Sequence, residues 1–88
     1  MRLYFDANSA EEDGRYRLSC MGTLKDLQRL GVQLQPGMLV TLYMDDPDED
    51  GHPTLLLVEA VVELDGQHFV ARADERTWRH ERLPESAV

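Results

Sequence analysis

The stretch TLLLVEAVVELDGQHFVARA, residues 54–73, carries the strongest local signal in the chain. Residues 54–64 are apolar apart from Thr54, Glu59 and Glu63, and their β-branched and aliphatic composition predicts a strand. Glu59 and Glu63 mark a solvent face, with Val58, Ala60, Val62 and Leu64 on the other. Leu55 and Leu57 share the parity of the glutamates, so this strand is expected to bend and exchange faces, as long strands in small barrels do. Asp65 and Gly66 supply a hairpin turn that needs positive φ. The returning QHFVARA should point Phe69, Ala71 and Ala73 inward and His68 and Arg72 outward.

Upstream, residues 38–45 (MLVTLYMD) read as a strand shielded on both faces. Residues 23–31 (TLKDLQRLG) break the period of two: the leucines fall at 24, 27 and 30, a helical spacing. Thr23 and Asp26 are placed as a capping pair, and Gly31 is placed to close the helix. The leucine stripe is expected to cover one end of the sheet. Residues 2–7 (RLYFDA) and 15–21 (RYRLSCM) alternate, and the polar loop between them ends at Gly14, which predicts an antiparallel hairpin. Cys20 would lie on the inner face of the second of these strands, as a small buried residue. Downstream, DERTWRHERL (74–83) turns into a short last strand, with Trp78 expected to plug an end of the core.

From PGMLVTLYMDD (36–46) to FVARADERTWRHE (69–81) the chain resembles the small SH3-like barrels. A Pro-Gly turn is followed by an apolar strand, a polar loop, a long bent strand, a tight hairpin and a turn into a short final strand. The resemblance covers about half the chain and rests on element order and turn placement. It implies a mainly β fold, a partly open SH3-like barrel of five to six strands with one short helix in the order β-β-α-β-β-β. Residues 1–83 would form a single domain and 84–88 a polar tail. It also implies a non-catalytic adaptor, although function resides in sites rather than folds.

Composition narrows the function classes. The net charge of −8 is uneven: residues 1–44 hold five basic and five acidic side chains, residues 45–88 four and twelve. Phosphate backbones and anionic lipid gain affinity from Lys and Arg, so neither nucleic acid nor membrane is expected as a partner. A chain of 88 residues leaves little room for a deep catalytic pocket. No nucleophile–base arrangement or glycine-rich phosphate loop is legible, so no enzymatic activity is expected. One cysteine, no basic-then-apolar leader and no membrane-length apolar run suggest a cytoplasmic setting.

Two stretches are candidate sites. DDPDEDGHP (45–53) repeats the first six positions of a calcium loop, with Asp46, Asp48 and Asp50 alternating up to Gly51 and His52 offering a carbonyl at position seven. Position twelve is Leu57 instead of a bidentate glutamate, so only a weak divalent-cation site is expected, as the alternative to a solvated hairpin tip. Around Trp78, Arg72, Arg76 and Arg79 form the composition of a protein-binding hot spot. Across residues 67–82 the net charge is only +1, too little for nucleic acid. The function expected is therefore an interaction or assembly module with no obligatory cofactor. It would act on a protein partner through the acidic loop or the Arg/Trp surface, or pair with a second copy through an open strand edge.

Overall fold

The computed structural model describes residues 1–84. All but the first residue of the expected polar tail therefore lies outside the described residues. Six strands form one sheet: β1 (Arg2–Tyr4), β2 (Arg15–Arg17), β3 (Leu39–Asp45), β4 (Thr54–Asp65), β5 (His68–Ala73) and β6 (Arg79–Arg82), with one helix, α1 (Met21–Leu30). The order across the sheet is β1-β3-β4-β5-β2, and β6 also pairs with β4.

The long strand β4 organises the molecule. Along one edge it pairs with β3 from Leu55 to Val61. Its other edge is shared, Thr54–Leu57 with β6 and Ala60–Asp65 with β5. At the changeover a one-turn 3-10 helix, Glu75–Thr77, fills the gap. The Glu59 amide donates to Thr77 Oγ1 at 2.9 Å, and the Glu59 carbonyl accepts from Asp74 N at 2.8 Å. Both parities are buried here, with Leu57 and Val58 fully enclosed and Leu55 nearly so, so the expected exchange of faces coincides with the change of partner. The hairpin that follows pairs Asp65 with His68, so its two loop residues are Gly66 and Gln67, one position later than the sequence suggested. Gly66 takes φ 63°, which a first loop position of this kind requires.

The predicted hairpin between the first two strands does not form. β1 lies parallel to β3, with Leu3 opposite Leu42, while β2 lies antiparallel to β5, with Tyr16 opposite Ala71. Alternation identifies the face a strand buries but not the strand it pairs with. The loop between them instead folds on itself: Asp6 accepts from Asn8 N and caps a one-turn 3-10 helix, Ala7–Ser9, and the chain then bridges Ala10 to Tyr16.

The core lies on the inner face of the coiled sheet, formed by Leu3, Phe5, Val40, Leu42, Val58 and Val62 with Leu18 and Ala71. The sheet does not close into a barrel. Its edge strands make no backbone pair with each other and instead meet through rings: Phe5 stands edge-on to Tyr16 at 5.0 Å, and Trp78 lies 6.2 Å from Phe5 and 6.3 Å from Tyr16. On the outer face, Arg2 of β1 reaches Glu81 of β6 at 2.6 Å.

Helix α1 guards the open edge of β1. It begins at Met21, two residues before the predicted cap, and its N-cap is Cys20, which is half-buried and off the strand. Thr23 and Asp26 do not cap the helix; both are buried and turn to Tyr4. Thr23 Oγ1 donates to the Tyr4 carbonyl, and Asp26 Oδ2 accepts from Tyr4 N at 2.9 Å and from Tyr43 Oη at 2.7 Å. Two side chains thus replace the neighbouring strand that the outward amide and carbonyl of β1 would otherwise seek. Gly31 closes the helix as expected, at φ 66°.

Candidate functional site

The acidic loop forms the tip of the β3–β4 hairpin. Asp48 organises it: Oδ1 accepts from the amides of Asp50 at 3.0 Å and His52 at 2.9 Å, and Oδ2 lies 3.2 Å from His52 Nδ1. The His52 amide, above all, holds the Asp48 carboxyl below the ordinary value. Gly51 at φ 81° makes the reversal, and its amide donates to the Asp48 carbonyl. Ligand atoms of Asp48, Asp50 and His52 come within 4.8 Å of one another. Asp46 is outside this group and meets His80 Nε2 of β6 at 2.9 Å. A hard cation needs six or more oxygens, and the carboxylate best placed to serve, Asp48, already accepts from the loop's own amides. The local hydrogen bonding is that of a self-capped turn.

The arginines around Trp78 are each matched on their own surface. Arg72 contacts Glu63 at 2.7 Å, Arg76 contacts Asp74 at 3.2 Å, and Arg79 contacts Glu59 at 3.0 Å. Trp78 is half-buried against the core, and its Nε1 donates to Glu75 Oε2 at 2.6 Å. Its ring serves as the core plug that the sequence suggested. The four residues are brought to one region, the segment around the 3-10 turn, but Arg72 leans toward β4 and Trp78 toward the interior.

A third surface was visible in the sequence only as a leucine stripe. Because Gly22, Thr23 and Asp26 face β1, the stripe is rotated away from the sheet. Leu27 packs on the core, but Leu24 and Leu30 remain 48% and 40% exposed and Met21 is 68% exposed. The expectation that all three leucines cover the sheet is corrected accordingly. An open groove of about 380 Å³ results, lined by Leu18, Leu24, Leu27, Val32, Leu34 and Phe69. The stripe at 24, 27 and 30 was the available signal, but its rotation depended on Thr23 and Asp26 binding β1.

Compared with known proteins, the chain matches no protein-family model, no curated protein and no solved structure. Among the described residues, no helix is long and apolar enough to cross a membrane.

Proposed function

We propose that this chain is a non-catalytic protein-binding module whose docking surface is the groove between α1 and β5. The observation that carries this reading is the exposure of Leu24 beside Leu27 and Phe69, on a helix whose Thr23 and Asp26 are already held by β1. An apolar surface of this kind, contiguous and held by a rigid element, favours burial against another protein. Neither the acidic loop nor the Arg/Trp segment has comparable support, since the first is a self-capped turn and the second is charge-matched. The resemblance of residues 36–81 to small SH3-like barrels, which commonly serve as adaptors, is in keeping with this role, and a lone cysteine is in keeping with a cytoplasmic setting.

Site-specific photo-crosslinking tests the reading. With benzoylphenylalanine at position 24, irradiation of cells should give a discrete adduct that is absent when the probe replaces Arg76, whose side chain is 90% exposed. Equal adducts at both positions, or none at 24, would contradict it.

A further inference from the structure

Three strands border the sheet, and two of them have covered edges. On β1, Thr23 and Asp26 take the outward carbonyl and amide of Tyr4. On β2 the preceding loop does the same work: Glu11 N donates to the Arg15 carbonyl at 2.6 Å, Ala10 bridges Tyr16, and Ser9 Oγ lies 3.4 Å from the Arg17 carbonyl. The third border strand, β6, pairs with β4 alone. Leu83 N donates to the Pro53 carbonyl at 3.0 Å, and Leu55 stands opposite Glu81 in the same ladder. Antiparallel alternation therefore turns the backbone groups of Arg79 and Glu81 toward β4 and those of His80 away from the sheet. His80 is exposed, and no group among the described residues bonds its amide or its carbonyl.

An outward amide and carbonyl on an extended residue are complementary to another extended main chain. The side chains of β6 choose the chain and the register. Two copies of β6 laid antiparallel must bring outward residues opposite outward residues, so the twofold axis falls at an integral residue. An axis at Glu81 sets the two glutamates against each other and His80 against Arg82. An axis at His80 instead sets Arg79 of each copy opposite Glu81 of the other, at the close positions of the ladder where side chains touch. Each of these two already has one partner on its own chain, Arg79 with Glu59 at 3.0 Å and Glu81 with Arg2 at 2.6 Å, and each remains nearly half exposed. The pairing thus extends two existing contacts into a row of alternating charge, Glu59–Arg79 from one copy and Glu81–Arg2 from the other.

We propose that β6 pairs antiparallel with β6 of a second copy, with the twofold axis at His80, and so joins two sheets into one. The edge is four residues long and each chain carries a net charge of −8, so the dimer is weak and reversible. It shares no residue with the groove between α1 and β5, so the dimer presents two grooves.

The test is NMR of the full chain, diluted from about 1 mM to about 20 µM, the range in which a small interface of this kind associates. The amides of His80 and Glu81 should shift with concentration. In a mixture of isotope-labelled and unlabelled chains, Hα–Hα contacts should appear between Arg79 and Glu81 of different copies. His80→Pro removes only the outward backbone donor of β6 and should abolish the association, whereas His80→Ala, which keeps that donor and loses the imidazole, should retain it. Shifts at β6 that do not change with concentration would overturn the proposal. Intermolecular contacts between the two Glu81 residues would overturn the register, and association that maps to Leu24 and Phe69 would overturn the choice of surface. The labelling measurement on the parent chain decides the matter even where His80→Pro fails to fold.

Discussion

Asp26 concentrates more of the structure than any other residue. One carboxylate accepts from a backbone amide of β1, from the Tyr43 hydroxyl and from Arg29, and so ties helix, edge strand and β3 together. Burial alone would raise its pKa, but the hydrogen bonds from Tyr43 and Tyr4 outweigh that and hold it below the ordinary carboxylate value. In return, burial and this carboxylate push the Tyr43 hydroxyl up to about 12. The folded state therefore binds fewer protons at Asp26 than the unfolded state does. Its contribution to stability is complete above about pH 4 and is lost as the pH falls through the depressed folded-state value. Asp26→Ala would leave the Tyr4 amide and Tyr43 hydroxyl without their acceptor and should cost about 2–3 kcal/mol in denaturant unfolding. Asp26→Asn should flatten the acid limb of the stability–pH profile. A profile unchanged by that substitution would place the acid sensitivity elsewhere.

At the scale of elements, α1 shows how a local signal can be right in kind and wrong in orientation. Its spacing and its closing glycine were legible at Leu24, Leu27, Leu30 and Gly31. Thr23 and Asp26 sit at the spacing of a capping box, and only the arrival of Tyr4 from a strand some twenty residues earlier turns them elsewhere. Gly22 records the same contact: a Cβ there would collide with Cδ1 and Cγ of Tyr4, close to the ring's attachment. Helix propensity alone predicts that Gly22→Ala stabilises by up to about 1 kcal/mol. Overpacking against Tyr4 reverses the sign, and a loss of about 1–3 kcal/mol is expected, largely relieved when Tyr4→Ala accompanies it. A stabilised single variant would mean that α1 does not press on β1. The long β4 and its hairpin were legible because their pattern is local, whereas the parallel β1–β3 pair was not, since the three residues of β1 contain nothing that names their neighbour.

At the scale of the whole molecule, the self-capped acidic turn forms the β3–β4 tip and the apolar groove lies between α1 and β5. The acidic excess was evident from composition, but the groove was not. A leucine stripe on a ten-residue helix ordinarily packs inward, and in this fold the inward face is taken by polar groups that complete a strand edge. Whether Leu24 belongs to the core or to an open surface therefore decides between a packed helix and a docking face.

Leu24→Glu examines that most directly, with unfolding by denaturant and photo-crosslinking from a benzoylphenylalanine at position 27 compared with the parent. An open surface predicts stability within about 1 kcal/mol of the parent, as for other surface changes, together with loss of the crosslinked adduct. A drop of about 2–5 kcal/mol, the cost of disrupting a packed leucine, would contradict the account.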